Sequence, residues 1–412
     1  MSTFGLDGVL PWAQARHVAA ASARPLPPAV ARLDEATGSL LAADLVTVED
    51  DPPADSARWA GFGVCGEGPW RLDDLDVLTP GWATPLAQGQ PVPRHCDAVV
   101  RQDDADVTRG AAGLVVVARD PLNGTPDERV RPGLGEGIVR QGVVAEAGHV
   151  LAAHGRLVTP AVVSLAAARG HDELTVIRPP VVGVLVLGSA LLDRGTPRFG
   201  RPRDALGPAV PSFVGALGAR GNPPVRAPDA PDLLLREIDD AQVDVLITTG
   251  STAPGPDNHL RAVLRDLGAR WLVDGVTVTP GAQMLLARLP DGRFLVGLPG
   301  DPPAAHAGLV TLVSPLIRAL RGVTDVTRPS SAVLLDDIEP ADFADDTALV
   351  PVRLEVSAAG TLAHPLPATG RSGLVGWAQA DAIAVAPPGV GFRGDVVDVL
   401  DPLGRWSADT PC

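Results

Sequence analysis

The sequence predicts a multidomain α/β protein: a doubly wound α/β domain with a helical region, a β-rich insertion and a small C-terminal β-barrel. Three observations predict it. The apolar runs "VVGVLVLG", "VDVLITTG" and "RFLVGLPG" are too continuous for half-exposed strands, and helical patterns alternate with them. From about Val46 to Ala147, short apolar pieces alternate with Gly, Pro and Asp, as in a small β domain. Beyond residue 326, short alternating strands return. At 412 residues the chain is too long for one ordinary domain, so three or four are expected.

Taken in order, residues 11–45 read as two helices split by "RPLPPA", the second carrying "VARLDEATGSLLAADL". Residues 46–147 form the β-rich insertion, with "DAVVRQ" and "GLVVVAR" as strands. "GHVLAAHGRLVTPAVVSLAAARG" returns to a helical pattern, so residues 1–45 with 148–178 make a helical linker domain. Residues 179–325 are the α/β domain. Its helices are "GPAVPSFVGALGARG", "APDLLLREIDDAQ", "NHLRAVLRDLG" and the long "PAAHAGLVTLVSPLIRALRG". Residues 326–412 close the chain as the C-terminal β domain. Ligands of such sheets bind beyond the carboxyl ends of the strands. Three loops lie there: "GSALLDRGTPRFGRPRD", "TTGSTAPGPDN" and "LPGDPPAA".

The charge balance narrows the partners. With 49 acidic against 34 basic residues the net charge is −15, which argues against nucleic acid and against an anionic membrane surface. An anionic ligand therefore needs a local basic patch. All the basic residues are arginine, because lysine is absent. Cys65, Cys96 and Cys412 form no C-x-x-C pair, as expected of a reduced, intracellular protein. The start "MSTFGLDGVLPWAQARH" lacks a basic segment followed by an apolar core, and the longest apolar run is far short of a spanning helix. A cytoplasmic protein is expected.

Across nearly the whole chain, ordered segments carry a resemblance. "LDEATGSLLAADLVTVEDDPPADSARWAGFGV" is similar to L-x-E-A-x-G-R-V-L-A-E-D and P-P-F-D-N-S-A-M-D-G-Y-A-V, and "GQPVPRHCDAVVRQDD" to G-A-P-L-P-x-G-A-D-A-V-V-x-x-E. "LITTGSTAPGPDNH", "VTPGAQM" and "VGLPGDPPAA" resemble T-S-G-G-V-S-V-G-D-Y-D-H, M-K-P-G-K-P and G-L-P-G-N-P-V-S. "VLVLGSALLDRGTPRFGRPRDALGP" and "SGLVGWAQADAIAVAPPGV" match further segments of the same set. The set resembles the molybdopterin molybdenumtransferase family, which includes the C-terminal domain of gephyrin. The resemblance implies a four-domain, elongated homodimer with active sites between subunits, and an α/β domain of the MoaB and MogA kind. It implies a reaction in which adenylylated molybdopterin and molybdate, with Mg2+, yield the metal-loaded dithiolene and AMP. Other proteins of molybdenum-cofactor biosynthesis are implied partners.

That chemistry needs a phosphate loop, carboxylates for magnesium and protons, and donors for the oxyanion. Candidate ligand-binding residues are Arg203, Thr249, Gly250, Ser251, Thr252, Gly255, Asn258, Pro299, Gly300, Asp301 and Pro302. A plain strand-to-helix turn, capped by Asn258 or Asp257, is the alternative for the second loop. Asp204 and Asp257 are the candidate catalytic acids and candidate metal ligands, with a helix N-cap as the alternative for Asp204. Arg194, Arg198 and Arg201 are further candidate phosphate clamps, beside the alternative of a solvated basic loop. His259 matches a family histidine, His306 is expected on the buried side of its helix, and Trp59 and Trp377 are expected to pack.

Much of the implied machinery is replaced. Ala60, Val143, Val144 and Asn258 stand where the family carries acids. Thr279 and Ala282 stand at its two lysines, Ala304 at its serine and Asp301 at its asparagine. Two cations lost and one anion gained disfavour a dianion. The expected function is a molybdenum-cofactor-biosynthesis protein that binds molybdopterin or its adenylate, with weak or lost insertion of molybdenum. The alternatives are an active molybdenumtransferase using Asp204 and Asp257, and a non-catalytic dimeric scaffold.

Overall fold

The structure is a computed structural model. It describes residues 9–111, 113–188, 190–198, 201–228, 230–253, 255, 258–323, 330–338, 345–358 and 360–403. The chain forms two compact units. Met1–Val30, Gly38–Ala42 and Thr175–Cys412 make one, and Ala31–Thr37 with Ala43–Leu174 make the other.

Helix α1 (Trp12–Ala21) buries Trp12, Ala15, Arg16 and Ala19, the i, i+3, i+4, i+7 stripe of an amphipathic helix. The second helix expected before residue 45 does not form. Ala29–Arg32, Leu40–Leu41 and Leu45–Val46 are strands, and Gly38 takes a left-handed φ of 86° that ends any helical run. Adjacent Leu40 and Leu41 are both buried, paired with Ile177 and Val176. Pairing with a segment far along the chain overrides the local helical pattern.

In the second unit, six strands form one sheet. They are β1 (Gly61–Cys65), β2 (Trp70–Leu72), β3 (Trp82–Leu86), β4 (Ala98–Arg101), β5 (Ala105–Gly110) and β6 (Gly113–Ala118). Their order is β5-β6-β2-β3-β1-β4, over a core of Phe62, Val64, Trp70, Val100 and Val116. The segment after it is only partly helical. Val150–Ala152 is a strand, and α2 (Pro160–Ala168) begins where Thr159 caps it and Pro160 takes the first position.

The α/β region of the first unit alternates as expected. It runs β7 (Val181–Leu187), α3 (Leu206–Ala216), β8 (Val225–Ala227), α4 (Pro231–Asp240), β9 (Val245–Thr249) and α5 (Leu260–Asp266). Then follow β10 (Arg270–Asp274), β11 (Val276–Thr279), β12 (Leu285–Arg288), β13 (Phe294–Leu298), α6 (Pro302–Gly308) and α7 (Ser314–Arg321). The sheet order is β8-β7-β9-β13-β12-β10, and β9 is buried on both faces. The first four strands are parallel, but β12 pairs antiparallel with both β13 and β10, so the sheet is mixed at one edge.

Between α6 and α7 the helix widens into one π turn, Leu309–Val313. A π turn displaces carbonyls from the regular ladder. Here α1 meets it: the Arg16 guanidinium donates to the Val310 carbonyl, and Trp12 Nε1 donates to Thr311 Oγ1 at 3.0 Å. The whole stretch Pro302–Arg321 is long and apolar enough to cross a membrane by length and composition, yet most of it is buried inside the fold. It is a core helix.

The C-terminal strands are β14 (Ser330–Leu334), β15 (Thr347–Ser357), β16 (Gly360–Pro365), β17 (Ala382–Ala386) and β18 (Val396–Leu400), with α8 (Gly370–Gln379) before β17. They run β15-β16-β14-β18-β17, and β17 pairs back with β15, closing a small barrel. Its interior is alanine-rich (Ala332, Ala363, Ala382, Ala384), as a narrow barrel requires. Strand β11 pairs with β15, so the turn after β11 sits where sheet and barrel join.

Candidate ligand site at the strand ends

Four residues form one row across the parallel strands. Arg226 on β8 registers with Val186 on β7, Val186 with Thr249 on β9, and Thr249 with Leu298 on β13. The three loops leave the sheet just beyond that row. Gly250 has φ 89°, its N–H donates to the Leu298 carbonyl at 2.9 Å, and a Cβ there would sit 3.1 Å from the Leu187 carbonyl. A Cβ on Gly300 would meet Gly250 Cα at 3.6 Å, so the second and third loops touch through glycine. Thr249, Gly250, Pro299 and Gly300 are thus brought together, but the Gly250 N–H is already used.

The second loop is closed by its own side chains. Asn258 Nδ2 donates to the Ala253 carbonyl at 2.8 Å, and its N–H donates to Gly255 at 3.2 Å. It does not cap α5, which has no side-chain cap. Ser251 holds a left-handed φ of 55°, and Thr252 is buried. Arg261 Nε donates to the Thr252 carbonyl at 3.1 Å while its guanidinium pairs with Asp274. Asp257 lies outside the described residues. His259 starts α5.

Asp204 is at the head of α3, with its side chain 2% exposed. Oδ1 accepts the Leu206 N–H at 3.0 Å and the Gly207 N–H at 2.8 Å, while Oδ2 accepts from Arg226 Nη2 at 2.5 Å. A Cβ on Gly207 would collide with Oδ2. Of the two expectations for Asp204, the cap is what its hydrogen bonds make. Both oxygens are engaged, and no group of three His, Cys, Asp or Glu able to hold a metal occurs among the described residues. Asp204 therefore offers a magnesium ion no carboxylate oxygen that is not already hydrogen-bonded. Arg203 is exposed and reaches Gly195 O at 3.5 Å, Arg194 is exposed beside Asp193, and Arg198 and Arg201 bridge by backbone.

The oxyanion end implied by the resemblance has a different character. Asp301 caps α6, its Oδ2 accepting the Ala304 N–H at 3.2 Å, with Pro302 at the first helical position. Gly281, with φ 109°, presses the turn after β11 onto the Ala304 carbonyl. Thr279 Oγ1 donates to Asp346 Oδ2 at 2.8 Å, and Ala282 is exposed. Helix α8 lies over the start of α6: a Cβ at Gly373 would be 3.1 Å from Pro303 Cγ, and Trp377 stacks on His306 with centroids 5.8 Å apart. His306 is part-buried, and desolvation lowers its pKa below the usual value.

In the other unit, Val143 and Val144 are 64% and 62% exposed and Ala60 is exposed. The acids that remain nearby are structural. Asp50 accepts Gln141 Nε2 and the Ala147 N–H, both at 2.9 Å, and Asp51 pairs with Arg169. Asp55 accepts the Gln141 N–H, which lowers its pKa, with Arg140 assisting and burial opposing. Trp59 packs, its Nε1 donating to Val99 at 3.1 Å.

Residues 10–170 match the family model described as MoeA N-terminal region (domain I and II), and residues 183–319 match that of a probable molybdopterin binding domain. The molybdopterin molybdenumtransferase of Staphylococcus aureus (strain Mu50 / ATCC 700699) is 25% identical over 390 residues, 91% of each chain. The chain belongs to the molybdopterin molybdenumtransferase family. The family is one of molybdenum-cofactor biosynthesis. Its Staphylococcus epidermidis member (strain ATCC 12228 / FDA PCI 1200) is 26% identical over 384 residues, 89% of this chain and 90% of that one. Among solved structures, the molybdopterin biosynthesis moeA protein from Pyrococcus horikosii shares the fold. Its TM-score is 0.72 at 22% identity, over 96% of this chain and 99% of that one. A molybdenum cofactor biosynthesis protein from Pyrococcus furiosus gives 0.53 at 16% identity, over 95% and 98%.

Four residues of this family member were not foreseen: Arg226, Arg261, Asp274 and Asp346. Arg226 and Asp204 are 22 positions apart and meet only because β8 lies beside β7. No motif spacing marks such a pair.

Proposed function

We propose that the chain binds molybdopterin or its adenylate at the strand ends of the α/β region, and that insertion of molybdenum from molybdate is weak or lost. The observation that carries this is the Asp301 carboxylate on the N-terminus of α6. A helix N-terminus favours an anion, and here the protein's own carboxylate takes that place. Thr279, at a position the family gives to lysine, spends its hydroxyl on another carboxylate, Asp346. A molybdate dianion approaching this end meets negative charge without the two lysine cations. The second loop, by contrast, keeps its glycine-dependent shape. Molybdopterin is the ligand and molybdate the lost co-substrate. We further propose a cytoplasmic homodimer.

Binding tests this directly. The purified chain is incubated with molybdopterin, passed through gel filtration, and the bound pterin is quantified as its oxidised fluorescent derivative. Near-stoichiometric pterin in a dimer peak by light scattering supports the proposal. A dimer that carries none contradicts it and leaves a scaffold.

A further inference from the structure

We propose that Arg226 is the anion-contacting cation of this site, oriented by Asp204, and that it takes a phosphate group of the bound ligand. This rests on the ligand reading above and extends it to one subsite. Arg226 lies in the same sheet row as Thr249, one strand removed, immediately before the β7 and β9 loops begin. Neighbouring strands are about 4.8 Å apart, so its Cα is on the order of 10 Å from that of Thr249. An extended arginine reaches most of that distance.

The pair is built asymmetrically. The Asp204 side chain is 2% exposed, whereas that of Arg226 is 36% exposed. Among the described residues, Arg226 makes one protein hydrogen bond, Nη2 to Asp204 Oδ2. A guanidinium carries five N–H donors in a fixed plane, so several remain on the solvent side. A buried carboxylate that grips one edge of an accessible guanidinium fixes the direction of the rest, the arrangement suited to bidentate contact with phosphate. Gly207 completes the fit, since any side chain there would displace the Asp204 oxygen.

The test compares three variants of the full chain with the parent. Arg226→Gln removes the cation. Asp204→Asn keeps an N-cap side chain but loses the ion pair, so it separates orientation from helix stability. Arg353→Gln, on the barrel, controls for net charge. Binding of molybdopterin and of its dephosphorylated form is measured at several salt concentrations, with the melting temperature of each variant alongside. We expect Arg226→Gln to weaken molybdopterin about tenfold and to flatten its salt dependence. The dephosphorylated pterin should be unaffected, Asp204→Asn should give a smaller loss, and Arg353→Gln none. If the parent binds molybdopterin and Arg226→Gln binds it equally well, the Arg226 contact is refuted while the ligand reading stands. Equal losses for both pterin forms also refute it, assigning the pair a structural role. If the parent binds neither form, the ligand reading fails and this contact fails with it.

Discussion

Asp204 and Asp301 are both aspartates that cap helices at the strand ends, yet their settings differ. Asp204 is buried, caps α3 and is neutralised by Arg226; Asp301 is exposed and caps α6 with no ion pair among the described residues. The first end of the site is balanced and can present a cation. The second presents an uncompensated anion. On the proposed reading, what separates a binding end from a repelling one is the partner of the acid, not the acid itself.

The largest effect should come from breaking the balanced end. Asp204→Ala removes the cap and strands a part-exposed guanidinium, which should cost roughly 3 kcal/mol, read as a lowered urea midpoint. A cost near that of Asp301→Ala would erase the distinction between the ends. Gly207→Ala should follow at about 2 kcal/mol, because the new methyl group displaces the Asp204 oxygen. Its crystal structure should show the Arg226 contact lengthened.

At the other end the effects should be smaller and of a different kind. Asp301→Ala should cost about 1 kcal/mol, and Asp301→Asn only a few tenths, since asparagine caps as well as aspartate. Asp301→Asn should nevertheless raise affinity for oxyanions such as molybdate or sulfate, measured by calorimetry. No gain in anion binding would show that its charge is not what repels them.

The smallest effect concerns His306, beneath Trp377. Burial lowers its pKa from the ordinary 6.5, so below that value the unfolded chain binds more protons than the folded one. Stability from this group is therefore full above 6.5 and is lost as pH falls through the window between 6.5 and the folded pKa. Trp377→Ala should expose the ring and flatten that acid limb in thermal melts recorded from pH 7 to pH 5. An unchanged limb would assign the acid sensitivity to other groups.

The fold was legible where apolar runs were long. β7, β9 and β13 each announce themselves as continuous hydrophobic strands, and α6 with α7 as one long apolar helix. It was illegible where partners are remote. Leu40 and Leu41 look helical until Val176 and Ile177 pair with them, and the antiparallel edge of β10 and β12 depends on contact with β13. The site followed the same rule. Gly250 and Gly300 were visible as loop glycines, and Asp204 was visible as an acid at a helix start. Arg226 was not, because its meaning comes from its neighbour in the sheet rather than from its neighbours in the chain.

The most direct measurement is AMP release from adenylylated molybdopterin, with molybdate and Mg2+ present and a lysine-bearing family member run in parallel. A chain whose oxyanion end is repelling should bind the adenylate yet release AMP no faster than buffer alone. Release at a rate comparable to the lysine-bearing enzyme would contradict that, and would mean molybdate is accepted despite Asp301 and the missing lysines.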